Sequence, residues 1–286
     1  MGEIGPASHG GELPPLSGSE TFTVYGGMTK WRVGSRKPGA ARIDLGPAML
    51  IKNAVFNVCD TETTGFDPNT DKVVEIASIH TMLGSDFLAC RAAFVKPGIP
   101  IPEAASNCHH IYDEDVADAR PIEDVASEML GGDVFVAHNL AFDQAFVPGA
   151  EFMPGLCTMR LARQLWPTAP SATLQSLREA LNLSCPEAEG FAPHRAGADA
   201  IVAAYLLKHE LAEYLSRQEN PEAATVEDLI AFANRPVLQG TVRFGKHKGQ
   251  KWATVPRSYL RWLQAKDDLD VDVRFTVEHY LTAKAI

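Results

Sequence analysis

The sequence predicts an α/β fold, in which helices flank a mixed β-sheet and a small C-terminal α+β module follows. Three apolar runs at residues 54–59, 72–82 and 87–95 are typical of successive strands. Strand and helix patterns then alternate, with a fourth strand at 134–137 and a short fifth strand near Leu156. Successive strands followed by alternating elements are typical of a mixed sheet with helices packed against it.

The spacing of apolar residues also predicts where helices lie. Helices are expected to begin at Thr158 and Leu174, and a short one is expected at 226–234 with Thr225 as its N-cap. The best-defined helix covers residues 195–208. Its apolar residues recur at helical spacing: Ala196, Ala200, Ala203, Ala204 and Leu207.

Composition divides the chain into four segments. Residues 1–48 contain ten Gly and five Pro, a composition that does not pack a core, so we predict a disordered leader. Met49 follows directly and offers an alternative start of translation. The main domain is predicted at 49–217, a connector at 218–236 and the small module at 237–286.

Charge and cysteine content narrow the class of protein. The chain carries a net charge of −10, and it contains no secretory signal and no run of about 18 apolar residues, so no membrane span is predicted. The five cysteines are widely spaced and form no Cys-x-x-Cys pair, which indicates reduced thiols in the cytoplasm rather than disulfides or a zinc site. Residues 241–260 contain five basic residues and no acidic one, so this stretch is a candidate for phosphate contact.

The first chemically informative motif directly follows the first apolar run. It reads Asp-Thr-Glu-Thr-Thr-Gly and contains Asp60 and Glu62, whose side chains share a face because residues two apart on a strand do so. Gly65 then permits a sharp turn with backbone N–H groups open to a ligand. A lone Asp-x-Glu pair is usually a solvated surface pair, so this motif does not decide the function alone.

Two further motifs place acidic groups at other element boundaries. Asp143 follows the run at 134–137 and lies early in the next helix, where a carboxylate is favoured. Asp199 lies in the first turns of the helix that begins at Arg195, and His194 precedes that helix on a loop. Charges beside apolar runs are costly unless a metal compensates them. Three such motifs in order therefore favour one shared site over separate solvated groups.

The residue types in these motifs indicate metal-dependent phosphoryl chemistry. Carboxylates without cysteine or a histidine cage are hard oxygen ligands, which suit Mg²⁺ or Mn²⁺ rather than zinc. A carboxylate cluster that holds two such ions is suited to in-line displacement at phosphorus. His194 is the one group of the set that takes up a proton near neutral pH, so it is the candidate general base.

Together the motifs resemble those of the DEDDh group of 3′–5′ exonucleases, which have a ribonuclease H-like fold. His194 in place of a tyrosine is typical of the histidine subtype of that group. The similarity runs over residues 54–281 and includes Phe-Gly-Lys-His-Lys-Gly at 244–249 and Tyr-Leu-Arg-Trp-Leu at 259–263. Gly197 departs from the pattern, since the family often has a larger apolar residue there, but this change removes no metal ligand.

The resemblance implies a reaction and a ligand set. The reaction is hydrolysis of the 3′-terminal phosphodiester of DNA with release of nucleoside 5′-monophosphates, in DNA repair or recombination. Two divalent ions, Mg²⁺ or Mn²⁺, are implied as cofactors. Asp60 would bridge both ions, with Glu62, Asp143 and Asp199 completing their shells and His194 accepting the proton of the attacking water.

Substrate contacts are expected in the turn after the first motif, in a His/Ile loop, beside the second motif and in the basic stretch: Thr61, Thr64, Gly65, Phe66, His109, Asn139, Lys246 and Lys248. Phe66 is the candidate for stacking on a base. For Tyr259 and Trp262, burial in a core helix is favoured over stacking on bases. Glu75, a charge within an apolar strand, is expected to be paired or to support the site rather than to bind metal.

Three other functions stay open at this point. An RNA-trimming exonuclease would use the same chemistry, because the motifs do not reveal a preference for a 2′-hydroxyl. A proofreading subunit would be held by a polymerase, and the sequence contains no readable polymerase-binding segment. A catalytically inert nucleic-acid-binding adaptor is disfavoured by the complete set of four carboxylates and one histidine.

Overall fold

The computed structural model describes residues 48–85, 89–167, 169, 171–191 and 194–283. The predicted leader therefore lies outside the described residues, apart from its last position. The first two residues of the predicted third strand (87–95) lie outside them as well. Within the described part, no helix is long and apolar enough to cross a membrane.

A five-stranded mixed sheet forms the centre of the main domain, which confirms the predicted fold class. Its strands are β1 Phe56–Thr63, β2 Val73–Thr81, β3 Ala89–Phe94, β4 Val134–Ala137 and β5 Gly155–Cys157. They lie in the order β3-β2-β1-β4-β5. The β1–β2 and β2–β3 pairs are antiparallel, whereas the β1–β4 and β4–β5 pairs are parallel.

Strand β1 is longer than the sequence predicted. The predicted end at Cys59 is wrong, because the strand continues through the first motif as far as Thr63. Thr61 and Thr63 are β-branched and buried, so they extend the strand pattern beyond the apolar run. Asp60 and Glu62 therefore lie on the strand itself, on its partly exposed face.

Ten α-helices occur in the described residues: α1 Glu103–His109, α2 Asp113–Val116, α3 Ile122–Met129, α4 Leu140–Phe146, α5 Thr158–Leu165, α6 Leu174–Ala180, α7 Ala196–Ser216, α8 Val226–Ala233, α9 Arg257–Gln264 and α10 Val271–Ala283. The predicted starts of α5 and α6 are confirmed, and the Thr225 hydroxyl caps α8 by accepting from the Asp228 N–H. The predicted end of α7 at residue 208 is wrong, because Leu211 and Tyr214 extend its buried stripe by two turns.

Alternate strand residues belong to two cores on opposite faces of the sheet. Phe56 and Val58 of β1 pack with α5, α6, α7 and α8, whereas Cys59 packs on the side of α3 and α4. On α7, small fully buried residues such as Ala200 and Ala204 let the helix lie close to the sheet. Because side chains alternate along a strand, residues in step with Phe56 and Val58 point towards α7. Asp60 is the next such residue.

The C-terminal module has a core of its own. That core consists of apolar residues from the loops and from α9 and α10: Val242, Trp252, Val255, Leu260, Leu263, Val273, Val277 and Leu281. Its β component, within the described residues, is one antiparallel bridge between Thr241 and Lys251. The module joins the main domain through Asp272 at the start of α10, whose carboxylate lies 3.0 Å from Arg160 of α5.

Candidate active site

Two carboxylates reach the site from the central strand. Asp60 and Glu62 of β1 are half-buried and alternate with buried threonines. Both side chains therefore point to the α7 face of the sheet, as the spacing predicted. A β-bulge follows Glu62, where the register between β1 and β2 shifts. Such bulges bend a strand and redirect its side chains, and they are common beside functional sites.

The first turn of α7 brings the third motif to the same place. Asp199 is buried, and its Oδ2 accepts a hydrogen bond of 3.1 Å from the backbone N–H of His194. His194 itself is exposed and has a left-handed backbone with φ of 63°. One ligand atom each from Glu62, His194 and Asp199 lies within 4.8 Å of the others. These three groups can therefore share one ion or one bound water.

Asp143 enters the site from the other face of the sheet. It lies in α4, is buried, and accepts a hydrogen bond of 2.9 Å from the Thr61 hydroxyl. Thr61 points away from Asp60 and Glu62, so the strand end holds carboxylates on both sides. The predicted early position of Asp143 in a helix after the fourth strand is confirmed.

Burial raises the pKa of all four carboxylates, and for Asp60 and Glu62 the charges of their neighbours add to it. Burial raises the pKa of Glu62 to about 8, and the negative charges of Asp199, Glu75 and Asp143 add to the effect. Burial likewise raises the pKa of Asp143 to about 7, against hydrogen bonds from Thr61 that lower it. For Asp60, burial and then the charge of Asp143 raise the pKa well above its ordinary value. Burial also raises the pKa of Asp199.

A fifth carboxylate stands beside this cluster but is neutralised by an arginine. Glu75 of β2 lies directly opposite Glu62 in the antiparallel ladder, where like charges repel. The Arg195 guanidinium donates to both carboxylate oxygens of Glu75, at 2.8 and 3.1 Å. The backbone N–H of Ala196 adds a third hydrogen bond of 2.9 Å. The expectation that Glu75 is a paired charge is confirmed, and the pair fixes the start of α7 against the sheet.

The turn after β1 is built around Asp71. Its carboxylate accepts from the Thr64 hydroxyl at 3.2 Å and from the Asp67 N–H at 2.9 Å. A Cβ at Gly65 would lie 2.5 Å from that carboxylate. Gly65 is therefore required for close approach to Asp71 and not for a left-handed backbone. Within this turn, the Phe66 side chain is 89% exposed, with its ring 6.3 Å from the ring of Phe142.

The other residues predicted to contact substrate lie in three places. His109 is buried at the end of α1, and its Nδ1 accepts a hydrogen bond from the Ile111 N–H. Asn139 is exposed just before α4, and its side chain makes no capping hydrogen bond. Lys246 and Lys248 are exposed in a loop of the C-terminal module. Their contacts with substrate stay predictions.

Two supporting residues emerge from the structure. Gln175 of α6 donates a hydrogen bond of 3.1 Å to Asp199 Oδ1 and so fixes this carboxylate from the side opposite His194. The sequence interpretation missed Gln175, because it lies 24 residues from Asp199 and has no distinctive motif around it. His138 is the second of them. Its ring is buried and bonds both Thr158 and the Ala172 carbonyl, each at 2.9 Å.

The donor set fits divalent cations. Four carboxylates from β1, α4 and α7 come together at the end of the central strand; burial raises the pKa of each, and repulsion adds to it for Asp60 and Glu62. Such a cluster is stable in its ionised form only when cations compensate the charge. Oxygen ligands of this kind suit Mg²⁺ or Mn²⁺.

Without metal, the protein is expected to lose stability as the pH rises from about 6.5 to about 8. The pKa of Asp143 rises from 3.8 to about 7, and that of Glu62 from 4.5 to about 8, so these carboxyls bind more protons in the folded state and the free energy of unfolding falls with rising pH. Below about 6.5 the lowered pKa values of His80, His109 and His138 act with the opposite sign. Urea unfolding in a chelator at pH 5, 6.5 and 8 measures the slope.

Saturating Mg²⁺ is expected to flatten this dependence, and the comparison isolates the site. Glu210, buried in α7, also has a raised pKa and contributes with the same sign, but it lies outside the cluster. Only the part of the slope that Mg²⁺ removes belongs to the carboxylate site. A pH dependence that is the same with and without Mg²⁺ would contradict the assignment.

Comparisons with known proteins agree with this geometry. A family model described as Exonuclease matches residues 58–207. Exodeoxyribonuclease 10 of Escherichia coli (strain K12) is 34% identical over 233 residues, which cover 79% of this chain and 99% of that protein. DNA polymerase III PolC-type of Listeria monocytogenes serovar 1/2a is 32% identical over 169 residues, which cover 55% of this chain and 11% of that polymerase.

A solved structure extends the agreement to the fold. Exonuclease X in complex with 5′ overhanging duplex DNA is 30% identical, with a TM-score of 0.52, and the match covers 62% of this chain and 99% of that one. The chain therefore belongs to the exonuclease family, as its motifs predicted. It is a nuclease, a hydrolase whose partner is nucleic acid. Enzymes of this family depend on divalent metal ions, and the carboxylate cluster is the candidate site for them.

Proposed function

We propose that this protein is a 3′–5′ exodeoxyribonuclease that removes nucleoside 5′-monophosphates from DNA 3′ ends. The observation that carries the proposal is the convergence of Asp60, Glu62, Asp143 and Asp199 beside the exposed His194. The relative that matches along 99% of its length is an exodeoxyribonuclease, which supports DNA as the substrate. The solved relative was bound to a duplex with a 5′ overhang, and such a duplex presents a recessed 3′ end.

The four carboxylates are proposed to hold two divalent ions, Mg²⁺ or Mn²⁺. Bound ions supply Lewis acidity, which favours ionisation of the attacking water and stabilises the leaving 3′-oxygen. Asp60 would be the central ligand of the set, because its pKa responds to the charges of Asp143, Glu62 and Asp199. Gln175 and Thr61 keep Asp199 and Asp143 oriented towards it.

His194 is proposed to accept the proton of the attacking water. Its exposure leaves the imidazole free to deliver that proton to solvent, and its N–H bond to Asp199 holds the backbone at the site. Phe66 is proposed to stack on the terminal base, because its exposed ring lies at the end of the turn that follows β1. The hydroxyls of Thr61 and Thr64 are already engaged with carboxylates, so their proposed contacts to the terminal nucleotide would use backbone N–H groups.

The location, pathway and domain limits are proposals of the same kind. Five free thiols, four of them buried, support a reducing cytoplasmic location. The proposed pathway is DNA repair or recombination, in which nucleotides are removed from DNA 3′ ends. The separate core of the C-terminal module supports a main domain at 49–217, a connector at 218–236 and a module at 237–286.

Labelled substrates test the proposed reaction. Single-stranded DNA and RNA of one sequence, labelled at either the 3′ or the 5′ end, are incubated with the protein with and without Mg²⁺. A 3′–5′ exodeoxyribonuclease releases labelled mononucleotide at once from 3′-labelled DNA and shortens 5′-labelled DNA stepwise, only with metal. Faster RNA turnover would favour an RNA-trimming enzyme, and no turnover would favour an adaptor.

Reversing the charge of Lys246 and Lys248 in the full chain is expected to weaken binding to DNA. Both lysines are exposed, and they are proposed to contact phosphates. The slope of log affinity against log salt concentration is expected to become shallower by about 0.7 for each single-strand phosphate that the variant no longer binds. Affinity for a single-stranded 20-mer at two salt concentrations measures the change.

Lys52→Glu with Lys96→Glu is the charge-matched control. Both lysines are exposed on the main domain, so this double variant changes the net charge by the same amount elsewhere. It should leave the slope near that of the unmodified protein. If both double variants change affinity equally, the effect comes from net charge and the contacts of Lys246 and Lys248 are not needed.

A further inference from the structure

An aromatic pair lies on the outer face of α9. The inner face of this helix buries Leu260 and Leu263 in the core of the module. On the outer face Trp262 is 53% exposed, and its ring stacks on that of Tyr259 with centroids 5.3 Å apart and planes 25° from parallel. The expectation that Trp262 is buried in a core helix is wrong, because Leu260 and Leu263 occupy the buried positions. A large exposed aromatic ring on a small module is a candidate binding surface.

Cations flank both rings. The Lys246 ammonium lies 5.4 Å from the centre of the Tyr259 ring, and the Lys266 ammonium lies 4.8 Å from that of Trp262. The loop that carries Lys246 is packed against Tyr259, since a Cβ at Gly245 would lie 2.9 Å from the tyrosine oxygen. Gly245 also has a left-handed backbone with φ of 62°, which favours glycine. Gly245 therefore allows the loop that carries Lys246 to lie against the aromatic pair.

The stretch of sequence that carries the rings and the lysine loop is basic. Residues 241–266 contain seven Lys and Arg and no Asp or Glu, in a chain whose net charge is −10. Arg243, in the same stretch, is close enough to Arg163 of α5 to lower its pKa, after burial, while Asp272 acts with the opposite sign. The basic charge of this stretch therefore acts on the main domain at α5.

We propose that Tyr259 and Trp262 form a platform on which unpaired bases of single-stranded nucleic acid stack, while Lys246 and Lys266 contact its phosphates. This proposal rests on the proposed function. The strand that the module binds is either the DNA strand being hydrolysed or the unpaired part of the strand opposite to it. Aromatic rings interleaved with cations suit this ligand, since every base has a face for stacking and every nucleotide has a phosphate. A duplex buries its base faces within its own stack, so the platform discriminates in favour of single strands.

Replacing Trp262 by alanine in the full chain tests the platform. Affinity for a single-stranded 20-mer is expected to fall between about fivefold and about 150-fold, as for the loss of one stacked base. Affinity for a blunt duplex of the same sequence is expected to change less than about twofold, because paired bases offer no face to the ring. Trp262→Phe should restore most of the single-strand affinity, and Trp262→Leu should not, although leucine keeps the apolar bulk.

Phe275→Ala is the matched control. Phe275 is 40% exposed on α10 of the same module, so its removal reports on the loss of any exposed aromatic there. Equal losses from Phe275→Ala and Trp262→Ala, or equal losses for duplex and single strand, would overturn the platform. The platform would also be overturned if Trp262→Leu bound single strands as tightly as the unmodified protein.

Hydrolysis of a dinucleotide separates this proposal from the proposed function. A dinucleotide has a single phosphodiester, which the proposed metal site must hold, so its turnover is expected to be unchanged in every Trp262 variant. An unmodified protein that cleaves neither the dinucleotide nor 3′-labelled single-stranded DNA with Mg²⁺ would contradict the proposed nuclease activity, while the affinity measurements would still decide the platform. Turnover of the dinucleotide that falls along with single-strand affinity would show that Trp262 supports the main domain and would overturn the platform.

Discussion

Asp60→Ala or Asp143→Asn is expected to abolish hydrolysis while leaving the fold intact. Each variant removes one proposed ligand from a cluster in which the charge of Asp143 raises the pKa of Asp60 and of Glu62. Because ionised neighbours repel in the absence of metal, removing one of them is expected to raise the stability of the metal-free protein. Turnover of 3′-labelled single-stranded DNA and thermal unfolding in a chelator measure the two effects.

The size of the loss distinguishes a ligand from a residue that orients a ligand. Loss of a group that only orients a metal ligand typically costs about 10–100-fold in metal affinity or activity. Thr61→Val keeps all four carboxylates and removes one hydrogen bond to Asp143, so its loss is expected within that range. The Asp60 and Asp143 variants should lose far more. Asp118→Asn, an exposed carboxylate elsewhere, should change nothing. Normal rates in the Asp60 variant would exclude the proposed metal site.

His194→Asn is expected to lower turnover by about 10²–10⁴-fold, as for the loss of a general base. Asparagine accepts the left-handed backbone that His194 adopts, so the loop geometry should persist and the loss should come from the imidazole. His194→Ala should be slowed as much, with some added strain. Turnover of 3′-labelled single-stranded DNA at saturating Mg²⁺ measures the loss.

Metal binding decides between two roles for this histidine. His194 lies close enough to Glu62 and Asp199 to share a ligand with them. A general base leaves Mg²⁺ affinity unchanged when it is replaced, whereas a metal ligand does not. Isothermal titration with Mg²⁺ on His194→Asn measures this affinity directly. Unchanged turnover in this variant would mean that the proton leaves by another route.

The sequence predicted the elements of the site because each motif is local. An apolar run followed by an acidic residue marks the end of a strand, and helical spacing marks the start of α7. The fold class, the strand order in the chain and the positions of Asp143 and Asp199 at helix starts follow from such patterns. The family resemblance adds the roles of the carboxylates, and these roles stay predictions.

Features that depend on pairing between distant residues could not be predicted in the same way. The opposition of Glu62 and Glu75 depends on the register of two strands, which no local pattern specifies. Gln175 reaches Asp199 only because α6 packs beside α7. Trp262 and Leu263 are neighbours in sequence, and only the packing of α9 decides which of them is buried.

The ion pair between Glu75 and Arg195 joins positions 120 residues apart in the chain. A neutral residue at position 75 alone would leave a partly buried guanidinium without its partner, and a neutral residue at position 195 alone would leave a fifth negative charge facing Glu62. Either single change is costly, whereas a joint change removes both charges. In evolutionary terms, these two positions are expected to covary among related enzymes, although neither belongs to the proposed metal-binding set.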